Sequence, residues 1–218
     1  MDFTLDTEHP ISIPCDDVTL EGLLHIPQHT RGMVIFAHGS GSSRFSKRNQ
    51  YVAHTLQKKQ FATVLFDLLT AEEDEIDSQT SQYRFDIDFL ANRLIAATRW
   101  IEKNPVLNKL SVGYFGASTG AGAALVAAAK LAMLIKAVVS RGGRPDLANE
   151  SLNYVEAPTL LIIGSLDTQV IQLNQQAYQQ LHCVKETAIV NGATHLFEEP
   201  GKLEEVAKLA GNWFEKYL

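Results

Sequence analysis

Gly116-Ala117-Ser118-Thr119-Gly120 sets a hydroxyl between two glycines, each two residues away. An apolar run, Leu110 to Phe115, leads into it, and small residues from Ala121 to Lys130 follow. Strand, sharp turn and helix is the setting in which a serine is held in a strained backbone conformation with its Oγ presented. The residues two before and two after come close together in such a turn, so both must be small. The helix start behind the serine turns backbone N–H groups and a positive dipole end toward a developing anion. The pattern predicts nucleophilic attack by Ser118. The plainer alternative is a glycine-rich turn with a helix-capping serine.

A serine hydroxyl needs a base to take its proton. Two histidines follow Ser118, namely His182 and His195. His182 falls at a helix end and reads as a surface residue. His195 falls in Asn191 to Phe197, straight after the last apolar strand, where a base for Ser118 belongs. An acid is needed to accept the other imidazole N–H and fix the tautomer. Asp167, one strand earlier, is the expected acid; Asp146 is the second candidate, and a helix cap is the plainer role for Asp167. His38-Gly39-Ser40-Gly41 follows an early apolar strand. The backbone N–H groups of Ser40 and Thr119 are the expected oxyanion donors, at about 3 kcal/mol per donor. His38 reads as structural. Arg141 and Arg144 are candidate ligands for a substrate carboxylate, with pairing to the acidic residues 72–77 or exposure to water as alternatives.

These residues need elements to position them. Ile11 to Cys15 and Val18 to Ile26 read as a hairpin turning at Asp16-Asp17. Gly32 to Ala37, Phe61 to Phe66, Leu110 to Phe115, Ile135 to Val139, Thr159 to Ile163 and Glu186 to Val190 read as strands, several apolar throughout as if covered on both faces. Helices are expected over Lys47 to Lys59, along the stripe Ile87, Leu90, Leu94, Ala97 and Ile101, over Ala121 to Lys130, over Val170 to Leu181, and along Leu203, Val206, Ala210, Trp213 and Tyr217. Residues 71–77, Ala-Glu-Glu-Asp-Glu-Ile-Asp, read as a structureless acidic loop, a flap over the site being the sharper alternative. The alternation predicts one α/β domain over 1–218, a mostly parallel sheet with helices on both faces and antiparallel strands at its N-terminal side. Loops 38–43, 67–77, 116–120, 140–146, 164–169 and 191–197 then gather at the C-terminal strand ends, where ligands bind such sheets.

Composition bounds the partners. The 218 residues carry 19 basic and 25 acidic side chains, for a formal charge of −6, which disfavours nonspecific binding to nucleic acid or anionic lipid. No signal-peptide pattern opens the chain and no apolar run has the length of a membrane span, so the expected location is the cytoplasm. Cys15 and Cys183 lack metal-ligand spacing and read as reduced, buried thiols. No dinucleotide fingerprint or P-loop occurs, and neither a metal nor an organic cofactor is expected. The oligomeric state stays open, with a homodimer among the options.

Taken together, His38-Gly39-Ser40-Gly41, Gly116 to Gly120, Gly164 to Val170 with Asp167, and Ala193 to Phe197 resemble the α/β-hydrolase superfamily, nearest its dienelactone-hydrolase-like branch. The matching pieces span nearly the whole chain in the order nucleophile, acid, base. The resemblance implies hydrolysis of a small soluble carboxylic ester through an acyl-enzyme on Ser118. Thioesterase, lactonase and peptidase chemistry use the same residues, and a hydrolase-fold binding protein is the alternative of another kind. The dienelactone hydrolases that name the branch carry cysteine where this chain has Ser118, which favours general ester chemistry. Only about twenty residues separate Val139 from Thr159, where relatives such as lipases carry a large lid, so an open site is expected.

Overall fold

The computed structural model describes residues 3–218. Eight strands form one sheet: β1 (Glu8–Cys15), β2 (Val18–His25), β3 (Gly32–Ala37), β4 (Phe61–Phe66), β5 (Val112–Ala117), β6 (Ile135–Arg141), β7 (Thr159–Gly164) and β8 (Lys185–Val190). Their spatial order is β1-β2-β4-β3-β5-β6-β7-β8. The first two strands pair antiparallel about the Asp16-Asp17 turn, and β2 pairs antiparallel with β4. The pairings from β4 through β3 to β8 are parallel. Every residue of β3, β4, β5 and β7 is buried, as the unbroken apolar runs require of strands covered on both faces. In the edge strand β1, Pro10 and Pro14 stand four residues apart.

The helices are α1 (Lys47–Lys58), α2 (Ala71–Thr80), α3 (Ile87–Lys103), α4 (Thr119–Lys130), α5 (Thr168–Gln180) and α6 (Lys202–Tyr217), with a 3-10 segment over Pro145–Tyr154. Helices α1 and α6 pack together on one face of the sheet; α3, α4 and α5 cover the other. The α3 stripe Ile87, Leu90, Leu94, Ala97 and Ile101 is buried throughout. Asp86 starts α3 by accepting the Phe89 N–H at 3.0 Å, a side-chain cap for one orphan donor. No helix among the described residues is long and apolar enough to cross a membrane.

Two expectations need correction. Residues 71–77 are the first two turns of α2 rather than a loop. Thr70 Oγ1 accepts the Glu73 N–H at 3.2 Å and Glu73 Oε2 accepts the Thr70 N–H at 2.8 Å, a complete capping box. Glu72, Glu73 and Asp74 fall in the first turn, where the helix dipole favours negative charge. Two ion pairs then fasten α2: Glu73 to Arg93 at 2.6 Å and Asp77 to Arg84 at 2.7 Å. Second, Ser140 and Arg141 belong to β6, which runs two residues past Val139. Between β6 and β7 stands only the short 3-10 segment, as the expectation of no large lid requires.

Candidate active site

Ser118 follows the last residue of β5 and precedes α4, with φ 51° and ψ −122°. A non-glycine residue there is strained and must be held by its surroundings. Those surroundings are tight. A Cβ added to Gly116 would stand 2.5 Å from the Ala121 Cα, and one added to Gly120 would stand 2.3 Å from the Ala37 carbonyl oxygen. Gly39 lies against the serine itself: its added Cβ would be 3.0 Å from the Ser118 Cβ. The backbone groups of Ser118 are bonded to the end of β6 and to the turn that follows it. Its N–H donates to the Arg141 carbonyl at 3.3 Å, and its carbonyl accepts the Arg144 N–H at 3.0 Å.

Strands β7 and β8 deliver the other two groups. The Leu166 N–H donates to the Ala193 carbonyl at 3.0 Å, and the Gly192 N–H donates to Ser165 Oγ at 2.8 Å. These bonds fix the Asp167 loop against the His195 loop. His195 Nδ1 lies 2.6 Å from Asp167 Oδ2, and Nε2 lies 3.3 Å from Ser118 Oγ. A carboxylate only accepts, so Nδ1 carries the proton and Nε2 is left to accept from the serine. Asp167 also stands at the N-cap of α5 but makes no side-chain cap bond there, so its carboxylate is directed to the imidazole. Asp146, the second candidate acid, is held elsewhere: Arg144 grips it with Nε at 2.9 Å and Nη2 at 2.7 Å. His182 is exposed on the surface.

The loop after β3 reaches the same place. His38 is buried; its Nδ1 donates to the Gly39 carbonyl at 2.9 Å and its Nε2 accepts the Leu68 N–H at 3.0 Å. It therefore ties the β3 and β4 loops together, the structural role expected of it. Burial pushes its pKa down. The Ser40 N–H donates to Thr119 Oγ1 at 3.0 Å. The N–H of Thr119, first residue of α4, is a helix-start donor with no acceptor inside the helix.

Both arginines are engaged by other residues of the chain. Arg141 is only 4% exposed. Its Nη2 donates to Asn49 Oδ1 on α1 at 3.0 Å, its guanidinium lies 6.0 Å from the Phe197 ring centroid, and its Nε has no partner. Burial and then the nearby Arg48 push its pKa down to about 10. Arg144 is occupied by Asp146, not by the acidic residues of α2. A cleft of about 820 Å³ opens beside the β3 loop, with Glu21, Asp67, Glu72, Glu73 and Asp74 on its walls and Arg44, paired to Asp67, as its cation. Two groups escaped the sequence reading: Asn49 and the Thr119 hydroxyl. Asn49 carried no signal; Thr119 could have been flagged as the polar neighbour of the nucleophile.

The dienelactone hydrolase family model matches residues 20–217. The chain belongs to the dienelactone hydrolase family. A crystal structure of a dienelactone hydrolase from Anabaena variabilis ATCC 29413 is 56% identical, with a TM-score of 0.95 over 97% of this chain and 98% of that one. A protein of Mycobacterium tuberculosis H37Rv named "Putative phosphoribosyl transferase" is 54% identical over 211 residues, which is 97% of this chain and 47% of the relative. The chain thus spans about half the length of the curated relatives it matches. The fold is shared more widely: Est1E from Butyrivibrio proteoclasticus aligns with a TM-score of 0.79 at 16% identity, over 95% of this chain and 98% of that one. Within this hydrolase family, the chain carries serine at the elbow.

Proposed function

We propose that this protein is a serine hydrolase that cleaves small soluble carboxylic esters through an acyl-enzyme on Ser118. The observation that carries the reading is the unbroken bond sequence Ser118 Oγ, His195 and Asp167, at 3.3 and 2.6 Å, built on a serine with positive φ. Ser118 Oγ attacks the ester carbonyl carbon while its proton passes to His195 Nε2. Asp167 holds the Nδ1 proton and stabilises the imidazolium. The negative carbonyl oxygen is received beside Ser40 and Thr119, with the Thr119 N–H at the start of α4 as one donor. Collapse expels the alcohol, which takes the proton from His195. Water then attacks the acyl group, with His195 as base, and frees Ser118. The steps draw on side chains and backbone alone, and we set them in the cytoplasm, in keeping with Cys15 and Cys183 being free thiols.

Thioesters and lactones fit the same steps, because the leaving group is chosen by the cleft. The acidic cleft beside the β3 loop has none of Ser118, Asp167 and His195 on its walls. The name of the Mycobacterium relatives indicates phosphoribosyl transfer; this chain covers 47% of their length, and the steps on Ser118, His195 and Asp167 involve no such transfer. The test is labelling of the purified protein by a fluorophosphonate probe. Labelling that disappears in Ser118→Ala supports an activated serine and directs a screen of esters, thioesters and lactones. A folded wild type that takes no label would turn the reading toward a binding protein on the hydrolase fold.

A further inference from the structure

Thr119 Oγ1 occupies the place that any acceptor of the Ser40 N–H must take. The N–H reaches it at 3.0 Å, and Ser40 Oγ lies 2.9 Å from the same atom. Two hydroxyl protons serve this pair, and only one can lie between the oxygens. The other has no protein acceptor among the described residues' hydrogen bonds. Thr119 is 4% exposed while Ser40 is exposed to solvent. Either hydroxyl can be the donor between the two oxygens; with Thr119 donating, the outer Ser40 proton is left to face solvent. When negative charge appears beside Ser118, the pair has a second arrangement. Ser40 donates both its N–H and its O–H to Thr119 Oγ1, and the Thr119 O–H is freed to turn outward. Donation from two groups to one oxygen strengthens the bond that its own proton makes.

We propose that the Thr119 side chain is a further catalytic donor, through which the Ser40 N–H acts on the oxyanion. The proposal rests on the serine-hydrolase reading above and changes how its oxyanion is held: Thr119 would supply a backbone N–H and a side-chain O–H, while Ser40 polarises the second. Gly39 supports the placement: a Cβ there would stand 3.0 Å from the Ser118 Cβ, so a glycine lets the chain before Ser40 pass close to the nucleophile. The β-branched threonine holds the hydroxyl in few rotamers, and burial excludes the water that would otherwise compete for it.

The experiment compares wild type, Thr119→Val, Thr119→Ser and Ser40→Ala for kcat and KM on p-nitrophenyl acetate, with active sites counted by fluorophosphonate titration. Valine keeps the shape and the backbone N–H. The proposal expects kcat to fall on the order of 10²-fold in Thr119→Val with little change in KM, the loss typical of one oxyanion donor. Thr119→Ser should restore most of it, and Ser40→Ala, which keeps its backbone N–H, should lose much less. If instead the Ser40 N–H acts on the oxyanion directly, valine releases it, and kcat stays the same or rises; that result overturns the proposal and leaves the hydrolase reading standing. Absence of any wild-type turnover or labelling would overturn both.

Discussion

Arg141 and Ser118 are joined by a single backbone bond, from the serine N–H to the arginine carbonyl. The residue that fastens the nucleophile is thus the one whose charge lies buried without a carboxylate. Its guanidinium reaches Asn49 on α1 and the ring of Phe197, two residues beyond His195.

A buried cation lacking a counter-charge lowers stability, because desolvation is repaid only by excellent partners. The double variant Arg141→Met/Asn49→Leu removes the charge together with the carboxamide it bonds, and should raise unfolding stability by about 1–3 kcal/mol at neutral pH. The pH dependence follows from the sign of the shift. The folded pKa of about 10 lies below the ordinary guanidinium value, so between the two the unfolded chain holds a proton that the folded one has lost. Wild-type stability from this group therefore rises through that window. The gap between the variant and wild type should narrow as pH rises past about 10, as read by urea unfolding. A variant less stable than wild type at neutral pH would show that Arg141 is a net stabiliser.

Asp167 and Asp146 should separate cleanly. Asp167→Asn places an amide where Nδ1 needs an acceptor and favours the wrong tautomer, so kcat for an ester should fall by about 10⁴. Asp146→Asn only loosens Arg144, whose side chain bonds none of the reacting groups, and should change kcat less than about twofold. Reversed effects would move the acid to Asp146.

His38 gives the fold an acid sensitivity of its own. With Nδ1 donating to the Gly39 carbonyl and Nε2 accepting from Leu68, only the neutral ring satisfies both bonds. Its folded pKa lies below the ordinary 6.5, so under pH 6.5 the unfolded chain binds a proton that the folded one refuses, and stability falls with pH. One such proton gives a slope of up to about 1.4 kcal/mol per pH unit. His38→Gln should flatten the decline between about pH 6.5 and pH 5, measured by urea unfolding. An unchanged slope would assign the acid sensitivity to other groups.

Gly120→Ala tests the elbow sterically. The new methyl would fall 2.3 Å from the Ala37 carbonyl oxygen, which is backbone and cannot swing aside. We expect destabilisation of about 3 kcal/mol or more, with loss of fluorophosphonate labelling, whereas Gly41→Ala, which meets no atom within 4 Å but has φ 64°, should cost about 1 kcal/mol.

The parallel sheet was legible because its strands are short apolar runs with clear ends: β3 and β4 fall within the limits read from Gly32 to Ala37 and Phe61 to Phe66. The positions of Ser118, Asp167 and His195 follow from that regularity, since each stands just past a strand end. Helix α2 was missed because it has no apolar stripe; its stability comes from the Thr70–Glu73 box and from arginines on other segments. The box itself was readable, as Thr-x-x-Glu. Arg141 was read as loop rather than as the end of β6 for a different reason. A charged residue beside a glycine pair reads as loop, and nothing local announces that Asn49, 92 residues away, would receive it inside.

The prolines of β1 have a consequence for assembly. In a hairpin closed by two residues, with Cys15 opposite Val18, the even-numbered residues of β1 turn their backbone nitrogens away from β2. Two of those at the outer margin, Pro10 and Pro14, carry no hydrogen to give, which leaves Ser12 alone between them. A strand arriving from another copy would find an interrupted row of donors, so this margin resists growth of the sheet from molecule to molecule.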